Sequence, residues 1–110
     1  MKQQLLKVRK TARGVRMWLE GEDRLHHAGM TRGTRYSREI SDGAIYLWVD
    51  PKGRYKVSGK LNKKTGEWRP IIDITGKAFP GFDVGDDVTA TFYDGVLRVH
   101  LHREDLQQAA

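Results

Sequence analysis

Lys7, Arg9, Lys10, Arg13 and Arg16 follow one another with no acid before Glu20. Cations packed this closely form a phosphate-binding set: arginine offers a planar fork for two phosphate oxygens or a guanine edge, and lysine adds a point charge. The segment, with Gly14 inside it, reads either as a phosphate-contacting arm with Arg13 and Arg16 as its forks, or as a solvated terminal strand. Arg32, Arg35 and Arg38 follow at spacings of three, which suits the rim of a loop or an ordinary surface better than one strand face. A second basic stretch, Lys52-Gly53-Arg54-Tyr55-Lys56 with Lys60, Lys63, Lys64 and Trp68, interleaves bases with aromatics as single-stranded nucleic-acid grooves do. The same charges would also guard an exposed edge strand beside a hairpin around Asn62 to Gly66. The expected nucleic-acid contacts are therefore Lys7, Arg9, Lys10, Arg13, Arg16, Arg32, Arg35, Lys56, Lys63 and Lys64.

His26, His27, His100 and His102 raise the possibility of metal ligation or acid–base chemistry near neutral pH. His-x-His without a nearby carboxylate trio is a weak metal signature, so neither a metal nor a cofactor is expected. His26 or His27 beside Arg24 is a pairing that would suit a metal-free ribonuclease, but no catalytic residue is assigned. Cysteine is absent, which excludes disulfides, thiolate nucleophiles and cysteine-ligated zinc or iron–sulfur centres.

With 110 residues, 38% of them hydrophobic, the chain can build one core, and a single domain over residues 1–110 is expected. Its charge of +6 comes in blocks: +7 over residues 1–38, −3 over 39–51, +6 over 52–69 and −4 over 70–110. Two basic segments thus alternate with two acidic ones, and a basic surface draws polyanions by releasing their counterions. Nucleic acid is the expected partner; a basic surface that merely aids solubility is the plainer alternative. The longest wholly apolar run, Ala44 to Val49, is too short to cross a bilayer, and the first ten residues lack the apolar stretch of a secretory signal. A soluble cytoplasmic protein with no membrane partner is expected.

The elements that would carry these groups show an internal repeat. Met30-Thr31-Arg32-Gly33 matches Phe82-Asp83-Val84-Gly85, and Ser41 to Val49 matches Tyr93 to Leu101, both at an offset of 52 residues. With a small gap, Met17 to Gly21 matches Ile71 to Gly76. Asp42-Gly43 and Asp94-Gly95 signal type I′ hairpins. After them Ile45, Leu47 and Val49 alternate with Tyr46 and Trp48, as Leu97, Val99 and Leu101 do with Arg98 and His100. Incoming strands are expected near Thr34 to Ile40 and Asp87 to Phe92, a joining strand at Arg54 to Ser58, a short helix within Gly21 to Ala28 and a single turn within Gly76 to Gly81. The organisation reads as repeat one over residues 15–50, a basic connecting hairpin over 51–68 and repeat two over 69–102. Trp18, Trp48 and Trp68 are expected in the core or at a subunit interface, and Arg103 to Ala110 as a short helix or frayed end.

Trp18-Leu19-Glu20-Gly21 through Ala28-Gly29-Met30-Thr31-Arg32-Gly33, and again Ile71 to Gly76 through Gly81-Phe82-Asp83-Val84-Gly85-Asp86 and Asp94-Gly95, resemble the swapped-hairpin barrels of the AbrB/SpoVT superfamily, most closely its SymE-like branch. That resemblance implies an all-β fold with one or two short helical turns, in which two hairpin repeats interlock into a small barrel. Such units usually come from two chains, so an internal pseudo-dimer or a homodimer is expected. It also implies duplex DNA binding, as in a small regulator or antitoxin. The alternatives are a SymE-like RNA-cleaving toxin, or a phage or plasmid protein that binds and inhibits a host protein. Repeat two carries Thr75-Gly76-Lys77-Ala78 where the DNA-binding pattern has more bases, so repeat one and the segment before it would do the binding.

Overall fold

A computed structural model describes residues 2–102; the Arg103 to Ala110 expectation lies outside them. The fold is all-β with one short helix. In chain order the elements are β1 (Lys2–Lys7), β2 (Arg9–Thr11), β3 (Gly14–Leu19), α1 (Glu22–His27), β4 (Arg35–Ser41), β5 (Ala44–Val49), β6 (Tyr55–Lys56), β7 (Ser58–Leu61), β8 (Trp68–Gly76), β9 (Asp87–Tyr93) and β10 (Val96–Leu101). They form a six-stranded sheet in the order β1-β9-β10-β5-β4-β6 and a four-stranded sheet in the order β2-β3-β8-β7. Among the described residues no helix is long and apolar enough to cross a membrane.

The alternating strands put one face of each sheet into a shared core. Ile45, Leu47, Val88, Ala90, Phe92, Leu97 and Val99 enter it from the larger sheet, and Met17, Leu19, Ile72 and Ile74 from the smaller. Leu25, Ala28, Met30, Phe79 and Phe82 complete it from outside the sheets. The single turn expected before Gly81 falls at Pro80-Gly81, where the Phe82 N–H donates to the Phe79 carbonyl at 3.0 Å and the two residues bridge. Asp42 (φ 51°) and Gly43 (φ 75°) both take the positive φ a type I′ turn needs, whereas at the second hairpin Gly95 does (φ 77°) and Asp94 does not.

Strand pairing is two-fold symmetric in register. β5 and β10 set Tyr46 opposite Arg98, flanked by Leu47 opposite Leu97 and Ile45 opposite Val99, so an exchange at the 52-residue offset returns the same pairs. β3 and β8 do likewise about Trp18 opposite Asp73, at the offset of 55 that carries Gly21 to Gly76. The outer arms follow at an offset of 49: β1 adds to β9 and β6 adds to β4, each the strand of the other half.

The expected barrel is not closed. At Val8 and Val57 the chain leaves one sheet for the other and the ladder is interrupted. Val8 exchanges backbone bonds with Gly85 and Asp86, and Val57 with Gly33 and Thr34. Both valines are buried, so they act as corners that stitch two separate sheets. The tryptophans also miss the core. Trp18 and Trp48 alternate onto outer faces where they are half-buried, and Trp68 is 47% exposed.

Candidate nucleic-acid interface

The first basic cluster becomes the β2–β3 hairpin. Pairing sets Arg9 opposite Arg16, Lys10 opposite Val15 and Thr11 opposite Gly14, and only Ala12-Arg13 lie between the strands. The Arg13 N–H donates to Thr11 Oγ1 at 3.2 Å. Gly14 has a φ of 144°, and a Cβ there would stand 2.2 Å from the Gly76 carbonyl oxygen and 2.8 Å from Lys77 Cα. Glycine is therefore what lets the hairpin tip lie against the end of β8, and Lys77 joins the tip.

Met17 and Leu19 are buried, so Arg16 and Trp18 face outward on β3. Like charges directly opposite each other on a sheet repel, and Arg9 and Arg16 are such a pair. The repulsion is relieved on one side: Arg16 Nε donates to Asp73 Oδ1 at 3.1 Å, and its guanidinium lies 5.2 Å from the Trp18 ring centroid. Asp73 is steadied by Thr75, whose hydroxyl donates at 3.0 Å. Arg9, Lys10 and Arg13 are exposed and make no ion pair among the described residues, so this end of the molecule presents three forked or mobile cations plus Lys77.

The other expected contacts are elsewhere. Lys7 lies on the outer face of the six-stranded sheet in an ion pair with Asp87 at 2.8 Å. Arg35 stands opposite Lys56 at that sheet's far edge, its Nη1 donating to the Gly53 carbonyl at 3.1 Å. The Arg32 guanidinium stacks 4.1 Å from the Trp68 ring centroid. Arg38 is half-buried between Tyr55 and Phe79, at 4.2 and 5.5 Å from their ring centroids. Of the ten expected residues, then, Arg9, Lys10, Arg13 and Arg16 come together. Lys77 and Asp73 were not expected there; the Gly21–Gly76 equivalence, which places the end of β8 against the start of β3, is the signal that points to them.

Lys63 and Lys64 sit in the connection between β7 and β8, the counterpart of the β2–β3 tip. Here six residues, Asn62 to Glu67, replace two; the Asn62 N–H donates to the Glu67 carbonyl, and Asn62 Oδ1 accepts from the Lys64 N–H at 3.0 Å. The longer loop stands away from the start of α1 and leaves a groove of about 840 Å3. It is lined by Lys60, Lys63, Lys64 and Arg69 from the hairpin, by Glu20, Glu22, Asp23 and Arg24 from the entry to α1, and by Leu61, Pro70 and Ile71. Among the described residues the ion pairs are Lys7–Asp87 and Arg16–Asp73, and neither crosses this groove.

The histidines are dispersed. His26 and His27 are exposed on α1, while Arg24 turns its Nη2 to the Glu20 carbonyl at 2.8 Å. His100 Nδ1 is 3.0 Å from the Leu101 carbonyl and His102 Nδ1 is 3.1 Å from Thr89 Oγ1. Among the described residues no three His, Asp or Glu side chains gather as a metal site. Shifted acidities mark structural contacts instead: the Lys7 ammonium lowers Asp87, the Ser37 hydroxyl and Lys52 N–H lower Asp50, and burial raises the Tyr36 phenol. No family model matches the chain, nor does any curated protein or solved structure.

Proposed function

We propose that the chain binds nucleic acid, duplex DNA before single strands, through the β2–β3 hairpin and without catalysis, as a small regulator or antitoxin of AbrB/SpoVT type does. The observation that carries this is the gathering of Arg9, Lys10, Arg13 and Lys77 at one end with Asp73 as the acid beside them, already engaged by Arg16. A two-stranded ribbon fits the major groove of B-DNA, and forked cations at its tip reach phosphates or guanine edges. Arg16 is read here as the residue that orients the ribbon, since its Nε and ring contact are both committed.

The test is binding to labelled duplex, single-stranded DNA and RNA across a salt series, with RNA integrity followed in the same tubes. Each lost phosphate contact lowers the log–log salt slope by roughly 0.9, so Lys10→Ala with Arg13→Ala reduces it by about 2 on duplex. An unchanged slope refutes the assignment to the hairpin, and cut RNA moves the reading to a SymE-like toxin. A second reading, a protein that inhibits another protein, draws on the outer face of the six-stranded sheet. Leu5 (66% exposed), Tyr93 and Val96 lie there with Tyr46 and Trp48, and none of the described elements covers them. Partner binding that survives salt high enough to abolish DNA binding would favour it.

A further inference from the structure

The two-fold register makes the two ends of the four-stranded sheet counterparts, so their differences can be compared position by position. At the first end Lys77 follows β8; at the second, Glu22 follows β3 at the equivalent place, since the offset of 55 that carries Gly21 to Gly76 carries Glu22 to Lys77. That one exchange reverses the charge beside the hairpin tip. The second hairpin has as many bases, Lys60, Lys63, Lys64 and Arg69, with Glu67 as the one acid in its loop. What differs is the opposing segment, where Glu20, Glu22 and Asp23 line the open groove with Arg24 as the one base among them, its Nη2 turned to the Glu20 carbonyl, and among the described residues no ion pair closes from these acids onto the hairpin's bases. A phosphate seated against those bases would share the groove with these carboxylates, whose charge opposes it.

We infer that the β7–β8 end is a second, latent nucleic-acid contact, kept closed to phosphate by the carboxylates of Glu20, Glu22 and Asp23, so that each chain engages one duplex at a time. The inference rests on the β2–β3 hairpin being the first contact. It assigns the groove a ligand class, the phosphodiester backbone, and a device that withholds it: acidic side chains fixed on the entry to α1 occupy electrostatically the place a polyanion would take. Neutralising them, by substitution or by a basic partner that covers them, turns the chain into a two-ended binder able to bridge two duplexes.

The experiment counts duplexes per chain. A labelled duplex of about one helical turn, ~10 bp, is titrated stoichiometrically against the full chain. The wild type takes one equivalent. The Glu20→Gln, Glu22→Gln, Asp23→Asn variant, whose amides keep the acceptor that Trp18 Nε1 uses at Glu20, takes two. Adding Lys63→Ala and Lys64→Ala to that variant returns it to one. A milder Glu22→Gln, Asp23→Asn variant serves as a check if the triple one melts lower than the wild type. Two equivalents on the wild type, or one on both acid variants, overturn the inference and leave the hairpin reading standing. No binding by the wild type with one equivalent on the variants overturns the hairpin reading alone, and no binding by any form overturns both.

Discussion

Gly14→Ala tests the point at which local backbone geometry and the candidate interface meet. The added Cβ would fall 2.2 Å from the Gly76 carbonyl oxygen, 2.8 Å from Lys77 Cα and 2.9 Å from the Lys77 carbonyl oxygen, all backbone atoms that cannot swing aside. Holding a non-glycine residue at a φ of 144° costs about 1–3 kcal/mol, and forcing β3 away from β8 costs about 1–3 kcal/mol more. The stiffer unfolded chain returns roughly 0.4–1 kcal/mol, which leaves a net loss of about 1–5.5 kcal/mol against a total stability of about 5–15. Gly33→Ala is the control: its φ is 88°, but no atom lies within 4 Å of the new Cβ, so only the dihedral cost applies. Urea unfolding at equal slope reads both. With a slope of about 1–3 kcal/mol per molar, a mid-range loss of about 3 kcal/mol at Gly14→Ala lowers the midpoint by roughly 1–3 M, and Gly33→Ala lowers it by less. If the two variants agree within about 0.5 kcal/mol, the close approach of the hairpin to β8 is not what requires glycine, and the placement of Lys77 beside Arg13 loses its support.

Phe92→Ala removes a ring with no exposed surface from the centre of the core and is expected to cost about 3–5 kcal/mol; a loss under about 1 kcal/mol in the same urea assay would mean that the two sheets do not close over it. Lys7→Ala is expected to raise the Asp87 carboxyl back towards its ordinary value, followed by carboxyl-carbon NMR, while Asp50, lowered by Ser37 and Lys52, stays unmoved. Because the folded pKa of Asp87 is depressed, its contribution is present above the unfolded value of about 3.9 and is lost as pH falls through the lower folded value. The variant is therefore less pH-sensitive on the acid side, and an unshifted Asp87 titration refutes the ion pair.

Much of the architecture was legible because period and turn chemistry agreed: alternation after Asp42-Gly43 and Asp94-Gly95 places β4–β5 and β9–β10 within a residue or two. The arms were harder. Val8 and Val57 each carry an extended segment from one sheet to another, and nothing in a strand's alternation says which sheet its far half will join. That is why residues 54 to 58 read as one strand although β6 ends at Lys56 and β7 begins at Ser58, and why the barrel, which came from the resemblance, had no check in the strand pattern against the two sheets that form. Trp18 and Trp48 stand beside aliphatic neighbours in sequence, and the alternation that sets Trp48 on the face opposite Leu47 puts both outside, their neighbours taking the inward positions, so the core half of the expectation fails for them. At the interface, chain order grouped Lys7 with Arg9 and Lys10, yet the corner at Val8 sends Lys7 to the other sheet and into the Asp87 pair.

The unlikeness of the two ends is a consequence of holding both halves in one chain. In an assembly of two identical chains, any substitution beside one hairpin tip appears beside the other, so a carboxylate that neutralises one end neutralises both. Here Glu22 and Lys77 occupy equivalent places and carry opposite charge, and two residues at one tip answer six at the other. The core tolerates this because it depends on the positions that stay equivalent in kind: Met17 and Leu19 against Ile74 and Ile72, Ile45 and Leu47 against Val99 and Leu97. Packing holds the two-fold symmetry where apolar volume must be filled from both sheets, and releases it at the hairpin tips, where side chains meet only water. Those tips are where charge could diverge without cost to the fold, and where the binding and withholding of a polyanion are proposed to divide between the halves.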